Sequence, residues 1–147
     1  MKKKELKAAL DALKQIKLPK IEDKELKNAI IKDHFAMLGA YKKFEDDIQN
    51  CQTVHLEPYK EERAEVEALQ QKLNSETEQE KKQAIINEIE SHTDLIKAIG
   101  EFNEAVNKLA EEEVEITPLD HSKFMEAMDS QDFGLDVIES LFPMFNL

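Results

Sequence analysis

Four histidines and one cysteine are the side chains in this sequence best suited to hold a metal ion or to move a proton. Cys51 and His55 stand four residues apart, about one helical turn, so both could face one ion. Zinc sites take three or four ligands, and no CxxC or HExxH spacing supplies the others. His34 and His92 fall on the apolar sides of two segments that read as opposed helices, where they could meet. Histidines in such seams are usually hydrogen-bonded parts of a core. The three glycines, Gly39, Gly100 and Gly134, build no GxSxG, GxxxxGK[ST] or GxGxxG pattern. A strained nucleophile turn and a phosphate cradle are therefore both absent. No catalytic residue, no metal and no cofactor is expected.

The carboxylates are a second candidate, because helical bundles can hold metals with inward-facing glutamates. Glu61-Glu62-Arg63-Ala64-Glu65 is similar to the EExxE half of the motif in all-α nucleotide pyrophosphohydrolases. That resemblance requires an ExxD on the next helix. Glu90 and Asp94 are spaced by four, and Glu88 is followed at the third position by Ser91. Glu126 and Asp129 have the right spacing but lie far along the chain. The motif is incomplete, and a solvated acidic helix face is the reading that remains.

The elements that would position these residues are mainly helices. Leu6, Leu10, Leu13 and Ile16 recur every three or four residues and predict a helix over 2–17, stopped by Pro19. Asp23 is placed to cap a second helix. Its near-heptad seam runs Leu26, Ile30, His34, Met37, Tyr41, Phe44, Ile48, Cys51. Gly39 within it suits close approach of another helix. Residues 52–58 read as a break, with Pro58 in the first turn of a third helix that reaches about Leu73. The polar stretch 74–78 reverses the chain. A fourth helix over 77–112 carries Ile85, Ile89, His92, Leu95 or Ile96, Ile99, Phe102, Val106 and Leu109. The expected architecture is all-α, a long antiparallel hairpin with the N-terminal helix alongside, one short β segment and short C-terminal helices. The hairpin would occupy 1–112, and the strand and tail 113–147, within one domain.

Glu113-Val114-Glu115-Ile116-Thr117 alternates as a half-buried strand does, and a lone strand needs a partner. The candidates are 17–21, 53–57 or a second protein. Asp120 is a further cap, before a short helix with Phe124, Met125 and Met128. The chain then closes on a dense apolar tail: Phe133, Leu135, Val137, Ile138, Leu141, Phe142, Met144, Phe145 and Leu147. Aromatic and Met side chains anchor interfaces. Val114 and Ile116, with the tail residues through Phe145, are therefore the candidate partner-binding residues. The alternative is that the tail folds back and caps the hairpin.

The formal net charge of −12 sets the chain against the anionic surfaces of nucleic acid and membranes, so neither is an expected partner. The basic residues crowd the first third and the acidic excess lies between Glu57 and Glu139, an asymmetry that could orient head-to-tail or heterotypic association. A single cysteine allows no intrachain disulfide, and neither an apolar leader nor a membrane span is expected from these residues. A cytoplasmic location is expected. A homo-oligomer through the helical seams fits the pattern as well as an intrachain hairpin does.

One stretch goes beyond composition. Residues Glu101 to Leu109, followed by Glu113-Val114-Glu115-Ile116, resemble a family of small helical proteins encoded by phages and prophages. Ile16-Lys17-Leu18-Pro19, Tyr59 to Arg63 and the Leu- and Met-rich end from Phe124 to Leu141 are similar to that family too. The chain departs from it at 52–58, which looks like an insert. The resemblance implies a role in virion or tail assembly, virion association and no enzyme activity. The expected function is that of a non-enzymatic protein-binding or assembly component. An acidic inhibitor or nucleic-acid mimic built on the charge of 57–115 is the alternative, ahead of a metal-dependent bundle enzyme.

Overall fold

In a computed structural model that describes residues 1–146, the chain is mainly α-helical, as its periodicity predicts. It divides into two units, one of residues 1–46 with 109–147 and the other of residues 47–108. The boundary drawn from the sequence at 112/113 runs through the first of them. Leu147, counted above in the apolar tail, lies outside the described residues. Among those described, no helix is long and apolar enough to cross a membrane.

The first unit is built from both ends of the chain. Helix α1 (Leu6–Leu13) buries Leu6, Ala9, Leu10, Ala12 and Leu13 on one side. It ends earlier than its apolar spacing predicts, because the chain must turn before Pro19. The turn leaves the Lys17 backbone to the side chain of Gln131. Gln131 Oε1 accepts the Lys17 N–H at 2.9 Å, and its Nε2 donates to the Lys17 carbonyl at 3.4 Å. Asp23 caps α2 (Lys24–His55) as expected, its Oδ1 accepting the Leu26 N–H at 3.0 Å.

The seam of α2 in this unit is Leu26, Ile30, Asp33, Met37 and Phe44. The position assigned above to His34 belongs to Asp33, which is 1% exposed, while His34 is half-buried. Steps of four, three, four and seven keep a strict heptad, which passes through 33 and 40 rather than 34 and 41. These side chains are covered by other parts of the same chain. Among the described residues, nothing beyond the adjoining residues and backbone of α2 itself lies within 4 Å of where a Cβ at Gly39 would stand, so no other helix approaches closely there.

Residues 113–117 form no regular strand. Lys2 bridges Glu113 in antiparallel fashion, the Lys3 N–H donates to the Glu112 carbonyl at 3.0 Å, and the Val114 N–H donates to the Met1 carbonyl at 2.8 Å. The Thr117 N–H donates to Asp33 Oδ1 at 3.0 Å. The partner of this segment is thus neither 17–21 nor 53–57, and its Val114 and Thr117 amides are already engaged. The strand proper is a two-residue parallel pair, β1 (Leu119–Asp120) with β2 (Phe145–Asn146). Helix α6 (His121–Met128) follows with Asp120 as its cap, Oδ1 accepting the Lys123 N–H at 2.9 Å. Helix α7 (Leu135–Leu141) packs against α1. Phe124, Leu119, Leu141 and Met144 complete the core, each no more than 2% exposed.

The second unit contains the end of α2, α3 (Lys60–Ser75), α4 (Gln79–Glu90) and the larger part of α5 (Thr93–Glu111). Pro58 sits in a 3-10 turn, Glu57–Tyr59, before α3, as its missing N–H requires. α3 and α4 form the antiparallel hairpin. Its reversal is held by Glu76, whose Oε1 accepts the N–H groups of both Thr77 and Glu78 at 3.0 Å. The helix expected over 77–112 is broken at Ser91-His92. Ser91 Oγ donates back to the Glu88 carbonyl, and such back-bonding competes with the helical ladder. After the break the buried positions are Leu95 and Ala98, so the register is the Leu95 one, and Ile96 and Ile99 point outward.

Charge and sequence position are linked in the first unit. Residues 1–46 hold twelve basic and eight acidic side chains, whereas 109–147 hold one and ten. Folding the ends together therefore pairs opposite charges. Lys2 and Lys4 both donate to Glu111, Lys3 to Glu112, and Lys123 lies 3.6 Å from Glu25. The bond from Lys2, then that from Lys4, holds the Glu111 carboxyl at about 2, below its ordinary 4.5. Stability from a depressed carboxyl is complete above its unfolded pKa and is lost as pH falls. Thermal melts should show Glu111→Gln losing stability relative to the wild type above about pH 4.5, with the gap closing towards pH 2.

Asp33 is the opposite case. Burial raises its pKa above the ordinary 3.8, against the Thr117 N–H and Lys32, and its Oδ2 has no hydrogen-bond partner among the described residues. A raised carboxyl contributes fully below its unfolded pKa and loses that contribution as pH rises through the folded value. Asp33→Asn keeps an acceptor for Thr117 without the buried charge. In melts from pH 4 to 8 it should gain on the wild type as pH rises; a constant difference would show that ionisation at 33 does not matter.

Candidate protein-binding surface

The residues suited to metal or proton chemistry are dispersed. Among the described residues, no three His, Cys, Asp or Glu side chains converge to hold a metal ion. Cys51 is half-buried on α2. His55 Nδ1 stands 4.0 Å from a Glu101 oxygen, and His92 Nδ1 stands 3.4 Å from a Glu62 oxygen. His34 lies in the first unit and His92 in the second, and each has its own neighbour: Phe35 for His34, Glu62 for His92. In the EExxE string, Glu62 is engaged with His92, while Glu61 and Glu65 face solvent. A cleft of about 330 Å³ in the second unit is lined by His55, Tyr59, Asp94, Lys97 and Glu101. Its polar lining is an imidazole, a phenol, an ammonium and two carboxylates, with no Ser, Thr or Cys.

The apolar tail is divided between core and surface by the period of a short helix. Val137, Leu141 and Met144 lie at steps of four and three, share one side of α7 and its 3-10 extension, and are buried. Leu135, Ile138 and Phe142 lie at steps of three and four on the opposite side. Leu135 is 75% exposed and Phe142 60%, with Ile138 half-buried between them. Val137, Leu141 and Met144, counted from the sequence as partner-binding, are therefore core residues. Val114, Ile116, Phe133 and Phe145 are also not free: they are half-buried against that core. Beside the outward face of α7, a cleft of about 190 Å³ runs between α6 and α7, with Met125, Met128 and Ile138 in its wall. Of the ten candidates, Leu135, Ile138 and Phe142 remain available to a partner.

A second apolar surface escaped the sequence reading. Ile31, Phe35 and Leu38 recur at steps of four and three on α2, beside the buried seam but not in it. Phe35 is 68% exposed and Leu38 40%. Ile31 and Phe35 form one wall of a groove of about 340 Å³ whose other wall is Leu13, Ile16 and Leu18. The signal was a second apolar stripe in Ile30-Ile31-Lys32-Asp33-His34-Phe35-Ala36-Met37-Leu38, hidden because a single seam already accounted for the helix.

Comparison with protein-family models, with curated proteins and with solved structures finds no match to this chain.

The two sides of α7 should respond differently to substitution. Leu141→Ala should destabilise by about 2–5 kcal/mol, as large-to-small changes in a packed core do. Phe142→Ser should change stability by no more than about 0.5 kcal/mol, as at an open surface. Urea unfolding of both variants checks this, and equal losses would make the outward side structural as well.

Proposed function

We propose that this chain is a non-enzymatic protein-binding or assembly component that engages its partner through the outward face of α7. The observation that carries the reading is the exposure of Leu135 and Phe142 on one side of a helix whose opposite side is fully used by the core. A protein surface seldom leaves large aliphatic and aromatic side chains aligned and in water unless something covers them. Three anchors at i, i+3 and i+7 match the pattern by which an amphipathic helix enters a hydrophobic groove. The acidic neighbours Asp132, Asp136 and Glu139 would orient it and select against acidic partners. The resemblance to phage and prophage proteins suggests virion or tail assembly as the setting.

The test is capture from a native cell or phage lysate with tagged wild-type chain and with the double variant Leu135→Asp, Phe142→Asp, at low and at high salt. Retention of a specific protein at high salt by the wild type, and its loss with the variant, is the expected result. Capture unaffected by the double variant would remove α7 as the contact. Capture abolished by salt alone would favour a charge-driven reading over an apolar one.

A further inference from the structure

The two unpartnered apolar surfaces of the first unit complement one another, and we infer that α7 of one copy of this chain docks in the α1–α2 groove of a second copy. The inference rests on the reading of α7 as a protein-binding helix and names the partner as the chain itself. The donor is Leu135, Ile138 and Phe142, with Asp136 and Glu139 beside them and no basic residue after Lys123. The acceptor groove is lined by the exposed Phe35 and the half-buried Leu18 and Ile31, over the core residues Leu13, Ile16 and Ile30. The charged side chains at the groove are of the other sign: Lys14 lines it, 3.7 Å from Asp11, and Lys17 stands exposed between Ile16 and Leu18. An apolar helix face with acidic flanks thus meets an apolar groove with basic ones, the condition for a favourable and oriented encounter.

The spacing also agrees. Donor side chains span seven residues, roughly 10 Å, and the acceptor stripe reaches the same length on α2 only by continuing past the groove, from Ile31 and Phe35 in its lining to the exposed Leu38 beyond it. Donor and groove share no residue, so a copy can use both at once. Such a contact is heterologous: one surface of each copy meets a different surface of the next, and repetition gives a ring or an open chain of subunits. Of the buried seam of α2 only Ile30 reaches the groove; Leu26, Met37 and Phe44 are covered within the chain and do not line it.

Heterologous docking has a signature that a symmetric patch lacks. Phe35→Asp blocks the groove and leaves the donor; Phe142→Asp blocks the donor and leaves the groove. Both positions are largely exposed, so both variants should keep wild-type melting curves. In sedimentation velocity from 10 µM to about 500 µM, the wild-type mass should rise with concentration and each variant should stay at the monomer mass. An equimolar mixture of the two should give a species of twice that mass and nothing larger, since each pair has one intact donor and one intact groove. A wild type that remains monomeric throughout overturns the inference, as does self-association that survives in either variant. So does a mixture that stays monomeric while the wild type associates. A monomeric wild type that still captures another protein through Leu135 and Phe142 would sink only the choice of partner; a monomeric wild type with no such capture would sink the binding reading as well.

Discussion

The first unit depends on the packing of α1 against α7. These helices are separated by more than a hundred residues, and neither has a core of its own. The apolar side of α1 needs a cover, and the inner side of α7 needs a base. Because the entropy of closing a loop grows only with the logarithm of its length, the long interval between them costs little more than a short one. Its consequence is structural: the burial of α1 that α7 provides requires both ends of the chain to be in place. The Glu112–Val114 bonds to Met1 and Lys3, the parallel pair of β1 with β2, and the Gln131 clamp on Lys17 all depend on that closure. They reinforce an arrangement that burial has already chosen.

Asp33 shows what the closure demands of the long helix. A heptad that begins at Leu26 and Ile30 must place its next inward side chain at 33, whatever residue stands there. The chain has an aspartate at that position, and the interior accommodates it by aiming the Thr117 N–H at one oxygen. The bond ties the 113–117 segment to α2 and supplies a partner for a backbone group leaving the strand-like stretch. The second oxygen receives nothing, so the position is costly for the charged form and tolerable for the neutral one. A buried polar group of this kind gives little stability, but it fixes which turn of α2 meets the 113–117 segment.

What could be read from the sequence were features set by neighbours within a few residues. Asp23 and Asp120 act as caps, Pro19 and Pro58 interrupt helices, and 74–78 reverses the hairpin, because each works through local backbone sterics or a single side-chain bond. What escaped were decisions taken between distant segments. His34 rather than Asp33 was placed in the seam because hydrophobicity ranks a histidine above an aspartate, while the heptad ranks position alone. β-Tolerance points 113–117 towards 17–21 or 53–57, yet residues 1–3 serve, since pairing needs only backbone groups in reach. The break at Ser91-His92 was missed because apolar spacing runs on through it, although Ser91, Thr93 and Asp94 are all weak helix formers. In sequence the tail is one apolar block, and only a helical register divides it into Val137, Leu141 and Met144 on one side and Leu135, Ile138 and Phe142 on the other.

The charge asymmetry first read as a guide to association acts within the chain. Lys2, Lys3 and Lys4 meet Glu111 and Glu112 because the fold holds them at a high effective concentration that a second molecule cannot match. Those charges are not free to steer anything else. The asymmetry is larger than this pairing consumes, however, and the remainder is not randomly placed. The basic remainder includes Lys17 at the α1–α2 groove, where Lys14 also stands, paired with Asp11; the acidic remainder includes Asp132, Asp136 and Glu139 around α7. Exposed pairs of this kind contribute little to stability, so folding alone gives no reason for their signs to segregate by surface. Steering does give one, since like-charged flanks around two apolar surfaces would hold them apart and opposite flanks draw them together. The same asymmetry can therefore close the first unit on itself and still leave two of its faces marked for contact.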